Sequence, residues 1–254
     1  MSKIFTGEIP MVGYPTADAF GGVAEAAGPV RPIYLLADSQ LLFWQGDGAP
    51  FIDELRRQIG SPAPRAAYLG ASNGDEPAFY QIFTGAMESA GITDCRLVRS
   101  SPSAEDLAFL EGADLILLAG GDVERGWRAF ASSGVREAVV RRYFSGAVLV
   151  GVSAGAVQLG RLGWPAGDPS PGALFPTFGL VPYVVDAHAE ATEWGALRLV
   201  VASQGGGVRG LGIPRGGGVV YHPDHTVEVV RHPACELEMR GPEVASSLLF
   251  PVPR

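Results

Sequence analysis

The chain has little of several things, and each scarcity narrows its class. Cysteine is limited to Cys95 and Cys235, too few for a disulfide framework, and there are only four histidines in 254 residues. Charged side chains make up 18% against 47% hydrophobic, which excludes a disordered, self-repelling chain. Positive charge is the scarcer sign: 19 basic against 27 acidic residues leave a net charge of −8. Such a surface repels phosphodiester backbones and anionic lipid, so neither a nucleic acid nor a membrane partner is expected. No apolar run approaches the ~20 residues of a spanning helix. The first 30 residues, interrupted by glycine, glutamate and proline, hold no secretory hydrophobic segment. A soluble, reduced, cytoplasmic protein is the expectation. Glycine (35) and proline (20) are abundant instead, without collagen period or low-complexity blocks.

Residues 1–30 show no clean periodicity and are expected to form an irregular N-terminal extension, with residues 31–254 as one domain. From residue 32 short apolar runs alternate with helical patterns. Pro32–Ala37, Ala66–Leu69, Cys95–Val98, Asp114–Ala119 and Ala147–Val150 read as strands. Phe51, Ile52, Leu55 and Ile59 mark one helix. Phe79, Ile82, Phe83, Ala86, Met87 and Ala90 mark a stronger one, entered through Asp75-Glu76-Pro77 and left at Gly91. Ser103 and Asp106 form a capping-box pattern, and Val135, Ala138, Val139 and Tyr143 predict a further helix. Strands apolar on both faces and separated by helices predict an α/β fold, a mostly parallel sheet covered on both faces. The last 75 residues read as more β-rich, with a hairpin around His222-Pro223-Asp224-His225.

The sharpest chemical signal is Gly151-Val152-Ser153-Ala154-Gly155, placed between a predicted buried strand and a predicted helix. A tight strand-to-helix turn of this kind exposes the serine hydroxyl at the carboxyl edge of the sheet, and its small neighbours permit close approach. The amide of Ala154 then points to where an oxyanion forms. Gly120-Gly121-Asp122 ends the preceding predicted strand, in the position that lines the ligand crevice of a doubly wound sheet. It offers Gly121 and Asp122 as candidates for the second oxyanion amide, and Asp122 also as a substrate contact. A serine nucleophile needs a base. His188 follows Asp186 in Val184-Val185-Asp186-Ala187-His188, where period-two alternation predicts both side chains on one strand face.

These residues carry a resemblance. Gly120-Gly121-Asp122, Gly151–Ala156, the stretch Gly179–His188 and Gly210-Leu211-Gly212-Ile213 occur in that order. The set resembles the peptidase E/cyanophycinase family of serine peptidases, whose fold is class I glutamine amidotransferase-like. The resemblance implies Ser153 as nucleophile, His188 as general base, no metal or organic cofactor, and a small peptide or amino-acid-derived substrate, in relatives one cleaved next to aspartate. A homodimer is left open. Pro214 and Arg215 stand where relatives often carry the acid that orients the histidine. Asp168 matches an acidic position of peptidase E and is the first substitute, with Asp186 the alternative. Arg198 is the nearest arginine for binding a substrate carboxylate after the histidine, and Arg215 is another.

Three other readings compete. A catalytically altered family member would bind without turnover, as the missing acid suggests. An α/β-hydrolase-type esterase would pair Ser153 with Asp224 and one of His222, His225 or His232. Zinc would use His222, His225, His232 and Cys235, at a spacing that matches no closed zinc module.

Overall fold

The computed structural model describes residues 29–46 and 48–251, so nearly all of the expected N-terminal extension lies outside the described residues. The five predicted apolar runs form parallel strands: β1 (Ile33–Leu36), β2 (Arg65–Leu69), β3 (Asp94–Val98), β4 (Leu115–Leu118) and β5 (Val148–Val152). Six strands follow in the C-terminal part: β6 (Tyr183–Ala187), β7 (Arg209–Ile213), β8 (Gly218–Tyr221), β9 (Val227–Val230), β10 (Ala234–Arg240) and β11 (Glu243–Leu249). The main sheet has the order β9-β8-β1-β5-β4-β2-β3, with β8 and β9 antiparallel at one edge. The expected hairpin is the β8–β9 turn, closed by the His225 amide donating to the His222 carbonyl at 2.9 Å.

Alternation explains why these runs are apolar throughout. Leu115 and Leu117 of β4 face one side and Ile116 and Leu118 the other, and all four are buried. One face is covered by α1 (Phe51–Gln58) and α2 (Pro77–Ser89). The other is covered by α3 (Ala104–Leu110), α4 (Val123–Ser133), α5 (Val135–Phe144) and α6 (Ala154–Leu159). The Ser103–Asp106 capping box forms as the spacing predicts, each side chain accepting from the other residue's amide. The entry to α2 differs. Pro77 takes the first turn, but the Asp75 carboxylate accepts from the Ser100 amide and hydroxyl, tying the β2 loop to the end of β3 and leaving α2 without a side-chain cap.

A second sheet of order β6-β7-β10-β11 stands beside the first. Tyr183, Val185 and Ala187 of β6, with Leu211 and Ile213 of β7, join the core that carries α6. Val184 faces the other way, onto Trp194 and onto Leu197, Val200 and Val201 of α7 (Gly195–Gln204). Helix α6 packs against both sheets. The carboxyl end of β6 is thereby brought to the carboxyl ends of β1, β4 and β5. In the main sheet β3 and β4 lie on opposite sides of β2, so the strand order reverses there, and a ligand crevice is expected at the loops leaving β2 and β4.

Candidate active site

Ser153 stands between β5 and α6 at φ 50°, ψ −108°. This conformation is costly for a side-chain-bearing residue and is held by its surroundings. The Ser153 amide donates to the Leu36 carbonyl at 2.8 Å, anchoring the turn to β1. Gly155 lets α6 descend onto β4: a Cβ there would sit 2.2 Å from the Leu118 carbonyl oxygen. The glycine spacing around the serine is thus imposed by helix–strand contact as well as by the turn.

His188 ends the β6 segment. Its amide donates to the Ile213 carbonyl at 2.8 Å, and its backbone turns left-handed at φ 48°. The ring is thrown toward β5, with Nε2 2.8 Å from Ser153 Oγ. That left-handed turn corrects the strand-face prediction, because the alternation that pairs Asp186 with His188 stops at Ala187. Asp186 Oδ1 accepts from the Ala187 amide at 2.9 Å, and no hydrogen bond joins Asp186 to His188 among the described residues. Burial raises the Asp186 carboxyl to about 6, opposed by the Ala187 hydrogen bond and then by the nearby His188 charge. Asp186 is therefore an electrostatic neighbour of the imidazole.

The loops from β2 and β4 supply amides. Gly121 adopts φ +128°, and a Cβ on it would lie 2.2 Å from the Ser72 carbonyl oxygen, so only glycine permits this approach of the two loops. The Asp122 amide donates to that same carbonyl at 2.8 Å, and Arg125 Nη2 donates to it as well. The amides of Gly121 and Ala154 engage no protein acceptor among the described residues. Beneath them lies Gln158 of α6, fully buried. Its Nε2 donates to Ser72 Oγ at 3.0 Å and to the Val123 carbonyl at 2.9 Å. One amide group thus ties the helix that follows Ser153 to both loops. No sequence pattern singled out Gln158.

Ser153 and His188 open into a cavity of about 490 Å³. Its wall includes Asp38 and Leu42 beyond β1, Tyr68 near the end of β2, Asn73 from the loop that follows, and Gly120 and Gly121. Phe79, Ile82 and Phe83 of α2, with Arg125 and Arg215, are also on it. Phe79 and Ile82 belong to the spacing that marks the helix; periodicity marks a face to be covered but not what covers it.

Other predicted site residues lie elsewhere. Asp168 is exposed and accepts from the Ser170 amide at 3.1 Å, hydrogen bonds that hold its carboxyl below the usual range. It is neither on the cavity wall nor bonded to His188, so the structure places it as a turn residue. Asp122 caps α4 by accepting from the Arg125 amide at 2.7 Å and does not line the cavity. Arg198 binds the Glu193 and Val244 carbonyls, holding α7 to β11, whereas Arg215 does reach the cavity. His225 contacts the Tyr221 hydroxyl and His222 the Glu228 carboxylate, on the β8–β9 hairpin. Neither they nor His232 line the cavity with Ser153. Among the described residues no helix is long and apolar enough to cross a membrane.

The model of peptidase family S51 matches residues 42–229. The chain belongs to that family. It is a serine-type peptidase, with a fold found in solved structures at low identity. A peptidase from an acI-B1 Actinobacterium superposes with TM-score 0.63 at 16% identity, over 86% of this chain and 97% of that one. A protein of Listeria monocytogenes EGD-e described as a peptidase E gives TM-score 0.59 at 15% identity, over 80% and 98%. No curated protein matches the chain. The expected α/β architecture and the family resemblance both hold in this S51 peptidase.

Proposed function

We propose that this S51 peptidase hydrolyses an amide bond of a small peptide through an acyl-enzyme formed on Ser153. The observation that carries the reading is the 2.8 Å contact between Ser153 Oγ and His188 Nε2. With the hydroxyl as donor, Nε2 accepts and the neutral ring carries its proton on Nδ1. As Oγ attacks the carbonyl carbon, its proton passes to Nε2 and the carbonyl oxygen becomes an oxyanion. The Gly121 and Ala154 amides are its donors; one such donor is worth about 3 kcal/mol in comparable sites. The imidazolium then protonates the departing amine. Water repeats the sequence on the ester, returning the serine. The Asp186 carboxylate supports the imidazolium through space in place of the acid that Pro214 and Arg215 replace.

Of the two arginines that the sequence offers for a substrate carboxylate, Arg215 is on the cavity wall and Arg198 is not. The proposal is tested by peptide hydrolysis with Ser153→Ala and His188→Ala, folding being checked by circular dichroism. Loss of several powers of ten in kcat is expected for each, the two losses being non-additive in the double variant. Undiminished turnover in either variant refutes the assignment.

A further inference from the structure

Helix α2 carries large apolar side chains at helical spacing, a stripe that is ordinarily covered. Phe83, Ala86 and Met87 are covered by the sheet, but Phe79 and Ile82 remain 51% and 39% exposed. Both are on the wall of the cavity in front of Ser153. The same cavity is lined by Leu42, Tyr68, Leu117 and Val152, which belong to the apolar cluster that fixes α1 and α2 to the sheet. The floor of the site is therefore an opening into that core. Even its polar edge is engaged: Asn73 Nδ2 donates to the Tyr68 hydroxyl at 2.8 Å.

The charged groups of the cavity are unequal. Asp38 is committed, one carboxylate oxygen accepting from the Gln40 amide at 2.9 Å and the other from the Gly216 amide at 2.7 Å. Arg125 is anchored on the Ser72 carbonyl. Arg215 is held through its backbone amide, which donates to Glu190 Oε1 at 3.3 Å, while its guanidinium makes no hydrogen bond or ion pair to any described residue. A carboxylate driven onto the α2 wall would lose its water without compensation, whereas an apolar side chain gains by leaving water there. A carboxylate at Arg215 finds an uncommitted planar donor.

We propose that the cavity selects short peptides carrying a large apolar side chain beside the scissile bond, seated against Phe79, Ile82 and Leu42, with a carboxylate on Arg215. This names the substrate class of the site and rests on the Ser153–His188 reading above. The test is a set of dipeptides with Phe, Leu or Asp at either position, each as free acid and as C-terminal amide, alongside a fluorophosphonate probe of Ser153. Expected is kcat/KM for the best Phe or Leu peptide at least about tenfold above that for any Asp peptide, the size of effect that burial of one side chain provides. Phe79→Ala and Ile82→Ala, both at exposed positions, should raise KM for Phe and Leu peptides about tenfold and shift Asp peptides less. Arg215→Ala should weaken free acids more than amides. Preference for Asp peptides, or an unchanged Phe-to-Asp ratio in Phe79→Ala, overturns the proposal. So does probe labelling of Ser153 without cleavage of any dipeptide, which leaves the serine hydrolase reading standing. Failure of the probe to label Ser153 removes that reading itself.

Discussion

Replacing Asp186 by Asn should make the protein more stable and less active, and the two effects have one cause. Burial raises this carboxyl from 3.8 to about 6. Between those values the unfolded chain releases its proton while the folded chain keeps it, so the folded state binds more protons and stability falls as pH rises. The loss is nearly complete about one unit above the folded value, near pH 7. At 1.36 kcal/mol per unit the difference amounts to roughly 3 kcal/mol as an upper bound. Asn keeps an oxygen for the Ala187 amide and carries no charge. Urea unfolding should therefore give nearly matching stabilities for wild type and Asp186→Asn at about pH 3, below the unfolded value. At pH 8 the variant should be more stable by about 1–3 kcal/mol. Turnover should move the other way, because the imidazolium loses a neighbouring negative charge. With no direct hydrogen bond to His188, the loss in kcat is expected near tenfold, far below the ~10⁴ seen where an acid holds the imidazole directly. A stability difference that is equal at both pH values, or a less stable variant at pH 8, would refute the reasoning.

Gln158→Leu keeps most of the side-chain volume but leaves Ser72 Oγ and the Val123 carbonyl without their shared donor. Unfolding should show a loss of about 2 kcal/mol or more, and kinetics should show a fall in kcat with KM little changed, since the oxyanion loop is what loosens. A variant with lowered stability and unaltered kcat would make Gln158 purely structural. Asp168→Ala should retain activity within about twofold, because its carboxylate only closes a surface turn. A loss above tenfold would return Asp168 to the catalytic machinery.

The parallel sheet was legible because its strands are buried on both sides and therefore apolar without interruption, as Leu115–Leu118 illustrates. The turn at Ser153 was legible because the contact between α6 and β4 requires glycine at a fixed spacing. What escaped depends on long-range placement. The sequence neighbourhood of Asp168 says nothing of where its loop lies, and the left-handed turn at His188 breaks the alternation that linked it to Asp186. Phe79 and Ile82 have helical spacing, and only the position of α2 over the crevice puts them on the cavity wall. Gln158 is an isolated polar residue on a short buried helix, and its role exists only once the β2 and β4 loops are set above it.

In the proposed mechanism the hydroxyl of Ser153 is the nucleophile and the His188 imidazole activates it. Mass spectrometry of the protein treated with a fluorophosphonate measures this directly. One adduct on the Gly151–Gly155 segment is expected, forming several powers of ten more slowly in His188→Ala. An adduct on another residue, or equal labelling rates with and without that imidazole, would contradict it.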